Sequence, residues 1–125
     1  MKSASKKSIH VLIACGGTGG HLFPGIAVGE VLSALGHDVT ILISEKKIDA
    51  IAASGHKELR FEKMPFLAMP RPWSPKMIGF LAGLWKGMKQ CRKIIRDHQV
   101  DVVLGMGGFT SFAPLYAGRK EGCTT

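Results

Sequence analysis

Cysteine is scarce. Cys15, Cys91 and Cys123 are the only three in 125 residues, and they show no metal-ligand spacing. An odd count without a framework argues against a disulfide-stapled scaffold and suits a reducing cytosol. No apolar run approaches the ~20 residues of a membrane-spanning helix. Lys6 and Lys7 precede a short apolar run ending Leu12-Ile13-Ala14-Cys15, which imitates a lipoprotein cleavage site. His10 interrupts that run, which is too short for a signal-peptide core of roughly 7–15 residues. No internal repeat at solenoid spacing appears. Acidic residues are also few, 9 against 17 Lys and Arg, for a net charge of +8. A basic excess fits polyanions (nucleic acid, anionic lipid or a phosphorylated substrate) without choosing among them. Nucleic acid is disfavoured, because the interleaved aromatics and cations of a single-strand platform are absent. No carboxylate pair and no His/Cys metal pattern is present. His10 and His56 stand in a strand and a loop without a clustered partner, and both read as structural.

What is present is one globular domain at most, 46% hydrophobic and 21% charged, long enough for a real core. Its most informative stretch is Ile9-His-Val-Leu-Ile-Ala-Cys-Gly-Gly-Thr-Gly-Gly-His21. A β-branched apolar run enters a glycine loop carrying one hydroxyl, Thr18, and ending in one imidazole, His21. Pro24 then opens a helical pattern in which Val28, Val31, Leu32 and Leu35 recur at i, i+3, i+4 and i+7. Strand, glycine loop and helix together predict an anion site, since free N–H groups and the helix dipole meet there. Glycines let the backbone approach a ligand closely. The dinucleotide fingerprint fails at its last place, which is Leu22, and no lysine follows for a P-loop.

Further along, the pattern alternates. Strands are expected at about 9–14, 38–43, 59–63 and 102–105. Helices are expected at about 24–35, stopped by Gly36, at about 47–54, at about 76–98, and from Ser111 or Ala113 toward Arg119, stopped by Gly122. Ser44 and Glu45 fall at the edge of the second strand, and without the fingerprint Glu45 reads as a solvated or helix-entry residue. Met64 to Pro75 holds Pro65, Pro70, Pro72 and Pro75, which exclude regular helix or central strand. With Phe66, Leu67, Met69, Arg71 and Trp73 it is a loop that either covers the core or meets substrate or lipid. On the long helix, Met77, Leu81, Leu84, Met88, Cys91 and Ile95 form the expected buried stripe. A further strand is expected to begin at Cys123 to Thr125. Alternating strands and helices predict a doubly wound parallel α/β sheet. Ligands of such sheets bind at the carboxyl ends of the strands. The second glycine stretch, Gly105-Met-Gly-Gly-Phe109, follows the last long strand. It therefore lies on the same edge as the first loop.

Two stretches carry a family resemblance. Gly-Gly-Thr-Gly-Gly-His-Leu-Phe-Pro-Gly-Ile-Ala, residues 16–27, resembles the first glycine loop of the MurG family. Asp-Val-Val-Leu-Gly-Met-Gly-Gly-Phe-Thr-Ser, residues 101–111, resembles its second. The resemblance implies part of the N-terminal, acceptor-side Rossmann-like domain of a GT-B glycosyltransferase, with the C-terminal donor-binding domain absent. The implied reaction is inverting transfer of N-acetylglucosamine from UDP-N-acetylglucosamine to undecaprenyl-pyrophosphoryl-muramyl-pentapeptide in peptidoglycan synthesis. The implied place is the cytoplasmic face of the bacterial inner membrane, as a peripheral enzyme, with no cofactor and no metal. By resemblance, His21 is the candidate base or sugar-positioning residue, and Thr18, Gly19 and Gly20 contact the nucleotide sugar. Gly107, Gly108 and Ser111 help hold the acceptor diphosphate. Relatives often have Gly-Pro after the residue matching Ser111, where this chain has Phe112-Ala113-Pro114. The donor site being incomplete, the chain alone is expected to be inactive. One competing reading is the non-catalytic, membrane-anchoring or acceptor-binding half of a split glycosyltransferase. A third is a nucleotide-binding Rossmann protein without transferase activity.

A lipid-linked acceptor requires docking to an anionic membrane surface. At about 100° per residue, Ile78, Trp85, Lys89, Arg92 and Arg96 share one flank of the long helix, with Lys86 and Lys93 beside them and Phe80 extending the apolar end. Apolar residues lead and cations follow, which suits insertion among anionic headgroups.

Overall fold

The computed structural model describes residues 7–15, 19–44, 55, 56, 58–64, 71–108 and 111–125. Four strands form one parallel sheet: β1 (His10–Ala14), β2 (Asp38–Ser44), β3 (Arg60–Met64) and β4 (Val102–Gly105). Their spatial order is β3-β2-β1-β4. Three helices belong to the described residues: α1 (Gly19–Ala34), α2 (Lys76–Asp97) and α3 (Phe112–Lys120). The doubly wound α/β expectation holds.

β1 and β2 are buried almost throughout, as continuous apolar runs must be when helices cover both faces. Register places Ile13 opposite Ile41 on one side and opposite Leu104 on the other. Alternation then sorts the core into two layers. Val11, Ile13, Val39, Ile41 and Ile43 face α1, where Leu22 and Ile26 meet them. Leu12, Ala14, Leu42 and Val103 face the other layer, where Cys91, Ile94 and Ile95 of α2 and Ala117 of α3 close over them. β3 carries Arg60, Glu62 and Lys63 and is only partly covered, a charged outer strand of the kind that resists further pairing.

α1 begins five residues earlier than the proline rule predicts, so Pro24 lies inside it. The missing proline N–H deprives the Gly20 carbonyl of its helical donor. The buried face also differs from the expected one. Leu22, Gly25, Ile26 and Gly29 are buried, whereas Val31 and Leu35 are exposed and Val28 and Leu32 only partly covered. α1 is apolar nearly all round, so periodicity cannot select its inner face. Contact with the sheet selects it instead. A Cβ on Gly25 would lie 2.7 Å from Cys15 Sγ, so the glycine is what lets α1 sit down on the end of β1.

The α2 stripe is correct only in its second half. Cys91 and Ile95 are buried, but Leu81 is exposed and Phe80 takes its place inside. All three helices end with the same backbone pattern. The N–H of His37, Val100 and Cys123 reaches back to the carbonyl of Leu32, Ile95 and Gly118 respectively. The residue before each is left-handed: Gly36 (φ 89°), Gln99 (φ 50°) and Gly122 (φ 83°). Beyond α3, Thr124 forms a parallel bridge to Val102, in line with the expected start of another strand. Trp73 in the proline-rich stretch is 97% exposed and does not cover the core. Residues 65–70, Glu45 and the helix expected at about 47–54 lie outside the described residues.

Candidate functional site at the switch point

The chain winds from β1 outward to β2 and β3, then returns to place β4 on the other side of β1. The crevice between the carboxyl ends of β1 and β4 is therefore the switch point, where open α/β sheets bind ligands. Both glycine stretches open there. β1 ends at Ala14 and α1 starts at Gly19, with Gly19, Gly20 and His21 forming its first turn. First-turn N–H groups have no helical acceptors, and the dipole makes that end electropositive. Thr18 and the side chain of His21 lie outside the described residues.

The second loop is visible in detail. β4 ends at Gly105, opposite Ala14, and the Met106 N–H donates to the Ala14 carbonyl at 3.1 Å. Gly107 (φ 106°) and Gly108 (φ 79°) then take left-handed conformations that a side chain would resist. Both are exposed. Ser111 is 3% exposed. Its hydroxyl donates to the Gly107 carbonyl at 2.8 Å and leans toward the Ala14 carbonyl at 3.3 Å. The structure thus brings Gly107, Gly108 and Ser111 together beside the start of α1. Phe109 and Thr110 lie outside the described residues.

The expected docking flank lies on α2. Ile78 and Trp85 are exposed, Trp85 by 62%, and the Lys89 ammonium sits 5.7 Å from the Trp85 ring centroid, within cation–π range. Two expectations need correction. Phe80 is 8% exposed, because it fills the core position expected of Leu81, so it extends no surface patch. Arg92 is not a free cation, since its Nε lies 2.6 Å from Glu121. Glu121 also accepts from Arg96 at 2.9 Å. Arg96, and then Arg92, hold the Glu121 carboxyl below its ordinary pKa. A second wall was not foreseen. Tyr116 and Lys120 of α3 join Trp85, Met88, Lys89 and Arg92 around a groove of about 300 Å³, with Phe112 stacked on Tyr116 at 6.1 Å and Lys120 over the Tyr116 ring. Only the packing of α3 against α2 could reveal it.

Elsewhere, His10 is buried and fully used. Its Nδ1 lies 2.8 Å from the His98 carbonyl and its Nε2 2.8 Å from Thr40 Oγ1, which supports the structural reading. His56 does have a partner, contrary to expectation: Nδ1 lies 2.7 Å from Glu30 Oε1. Glu30, His56 and Glu58 place donor atoms within 4.8 Å of one another on the surface, on α1 and the approach to β3. Cys91 is no nucleophile, because burial pushes its thiol up to about 12. Among the described residues, no helix is long and apolar enough to cross a membrane.

Residues 11–125 match the model of the glycosyltransferase family 28 N-terminal domain. A UDP-N-acetylglucosamine–N-acetylmuramyl-(pentapeptide) pyrophosphoryl-undecaprenol N-acetylglucosamine transferase of Leuconostoc mesenteroides is 33% identical over 114 residues, covering 88% of this chain and 31% of that protein. Proteins of the same description are 38% identical in Yersinia pseudotuberculosis, over 86% of this chain and 30% of theirs, and 42% identical in Opitutus terrae, over 68% and 22%. The chain thus spans about a third or less of the length of these curated relatives. Among solved structures, MurG of Acinetobacter baumannii superposes with a TM-score of 0.77 at 23% identity, over 92% of this chain and 33% of that one. A glycosyltransferase from Rickettsia africae gives 0.69 at 16%, over 94% and 28%. These likenesses establish the fold as that of a GT-B glycosyltransferase N-terminal domain.

Proposed function

The chain belongs to glycosyltransferase family 28, matching its N-terminal domain, and from that membership we propose that it is the acceptor-side part of an inverting N-acetylglucosaminyltransferase. The donor is UDP-N-acetylglucosamine and the acceptor is undecaprenyl-pyrophosphoryl-muramyl-pentapeptide. One observation carries the reading: at the β1/β4 switch point the end of β1, which leads to α1, and the Gly107–Gly108 turn after β4 lie side by side, joined by the Met106 N–H to Ala14 carbonyl bond. The printed activity of the relatives supports the choice of sugar and acceptor.

Transfer is substitution at an anomeric carbon. The acceptor hydroxyl is a poor nucleophile and must lose its proton, while the departing diphosphate gains charge. His21, in the first turn of α1, is the candidate base or sugar-positioning residue. Thr18, Gly19 and Gly20 meet the nucleotide sugar, where the N-terminal end of α1 stabilises the developing charge. Gly107 and Gly108 hold the acceptor diphosphate through backbone N–H groups. The exposed Ile78 and Trp85 with Lys89 dock the protein peripherally on an anionic bilayer, where each cation near the surface contributes about 1 kcal/mol.

The test is transfer of labelled sugar from UDP-N-acetylglucosamine to the lipid-linked acceptor by the complete protein and by its His21→Ala variant. The variant should fold normally and lose about 10²–10⁴-fold in kcat, the range of a positioned acid–base group. A folded variant with nearly full kcat removes His21 from the chemistry. An inactive complete protein removes the proposed reaction. Residues 1–125 alone, if the donor site needs contacts outside them, should show no turnover.

A further inference from the structure

We propose that Ser111 is a positioning residue that sets the polarity of the second glycine loop, turning its carbonyls inward so that the loop presents N–H groups to a phosphate. The inference rests on the acceptor-diphosphate reading of this loop and assigns Ser111 a role other than ligand contact.

α3 follows the loop directly. Ser111 is its N-cap, and an N-cap serine ordinarily accepts a bond from the N–H of the second or third helical residue. Here the third is Pro114, which has no N–H to give. Ser111 makes no capping bond, and its hydroxyl turns back into the sheet edge. There it donates to the Gly107 carbonyl at 2.8 Å, with the Ala14 carbonyl at 3.3 Å. The Ser111 N–H meets the Gly108 carbonyl at 3.3 Å, and the Met106 N–H meets the Ala14 carbonyl at 3.1 Å. Three carbonyls at the mouth of the crevice are thereby engaged by protein donors.

The donors are sorted the opposite way. Among the described residues, neither the Gly107 nor the Gly108 N–H has an acceptor, and both glycines are exposed with positive φ. Successive backbone N–H groups exposed in a turn form an anion-binding concavity. The first-turn N–H groups of α3 are left uncapped by the same diversion of Ser111. A loop with these carbonyls facing outward would repel a phosphate, whereas here the Gly107 and Gly108 carbonyls are engaged and, among the described residues, their N–H groups are not. Ser111 itself is 3% exposed, and its proton is committed to the Gly107 carbonyl. Its Cβ lies so close to Gly105 that a Cβ added there would come within 3.1 Å.

The test uses the chain described here and inorganic pyrophosphate at fixed ionic strength, followed by backbone amide chemical shifts. In the wild type the Gly107 and Gly108 amides should move. Ser111→Ala should weaken that binding by about three- to tenfold, the equivalent of one hydrogen bond. Ser111→Cys keeps the size and a weak donor, should fold as the wild type does, and should fall between the two. Without ligand, hydrogen exchange of the Met106 and Ser111 amides should speed up in Ser111→Ala. If pyrophosphate shifts the loop amides of wild type, Ser111→Cys and Ser111→Ala with equal affinity, the positioning role is wrong while the anion reading stands. If the wild-type loop does not respond to pyrophosphate, the anion reading fails and the positioning role fails with it.

Discussion

Alanine at Gly79 and at Gly118, one at a time, separates helix propensity from packing. Both glycines are helical, so each substitution gains alanine's preference, worth up to about 1 kcal/mol. At Gly79 in α2, nothing lies within 4 Å of the added Cβ. Propensity acts alone there, and stability should rise by about 0.5–1 kcal/mol. At Gly118 in α3, the new methyl would lie 2.6 Å from Val103 Cγ2 and 3.1 Å from Val103 Cβ. Carbon atoms pack best at about 3.5–4.0 Å. Val103 cannot swing aside, because it is β-branched, 1% exposed and held on β4 against β1. α3 must therefore lift from the sheet or β4 must shift, and overpacking of this kind costs about 1–3 kcal/mol. The clash outweighs the propensity gain, leaving Gly118→Ala less stable than wild type by about 1 kcal/mol. The two variants should thus straddle the wild type in urea unfolding followed by far-UV circular dichroism. At slopes of about 1–3 kcal/mol per molar urea, the separation in midpoint is readily measured. Equal stabilisation by both substitutions would show that α3 does not sit on Val103 as described.

Vesicle co-sedimentation with Trp85→Ala, Lys89→Glu and Lys93→Glu combined should show less binding to anionic lipid than the wild type, with both losing binding as salt rises. Arg92 is left intact, because its replacement would also break the Glu121 pair. Equal binding by both proteins would remove α2 as the docking surface. A pH series on Glu121→Gln tests the clamp between α2 and α3. The Glu121 carboxyl is held below its ordinary value of 4.5 by Arg96 and Arg92, so its contribution is full above that value and lost as pH falls through the lowered one. The stability gap between wild type and variant should close toward acid, and a gap independent of pH would refute the clamp.

Most of the fold was legible because its strands carry strong local signals. Val102–Gly105 agrees at both ends, and β1 and β2 agree within a residue, since buried parallel strands are continuous apolar runs bounded by turn residues. Helix faces were legible only where composition is two-sided. The second half of α2 alternates cations with apolar residues, and Cys91 and Ile95 fall inside as expected. α1 has apolar residues on every side, and its inner face is chosen by where glycine permits close approach, a tertiary fact. Phe80 and Leu81 exchange places for a related reason: adjacent apolar residues lie about 100° apart on the helix, and the sequence does not say which the sheet will accept. The left-handed Gln99 carries no signal, because only glycine and asparagine announce that conformation. The first glycine stretch marked a candidate site through an unusual local run, whereas Tyr116 and Lys120 became part of a groove only through the meeting of two helices distant in sequence.

The two edges of the sheet show why one histidine is structural and another a candidate for chemistry. At the amino ends of the strands, His10 engages the His98 carbonyl through Nδ1, which must carry the proton because a carbonyl can only accept. Nε2 then meets the Thr40 hydroxyl, and the His10 N–H meets an Asp101 carboxylate oxygen at 2.9 Å. His98 in turn lies 2.7 Å from an Arg60 guanidinium nitrogen and 3.4 Å from Glu62. These groups close on one another, joining β1, β2, β3 and the end of α2 into one network. The carboxyl edge is built on the opposite plan. At Gly107 and Gly108 no side chain screens the backbone, the carbonyls of Ala14, Gly107 and Gly108 are engaged, and among the described residues the Gly107 and Gly108 N–H groups have no acceptor. A sheet that satisfies one edge internally and leaves donors on the other has its binding polarity decided by backbone. In the proposed reaction substrate groups complete that edge, and His21, in the first turn of α1, is the group proposed to move a proton beside them.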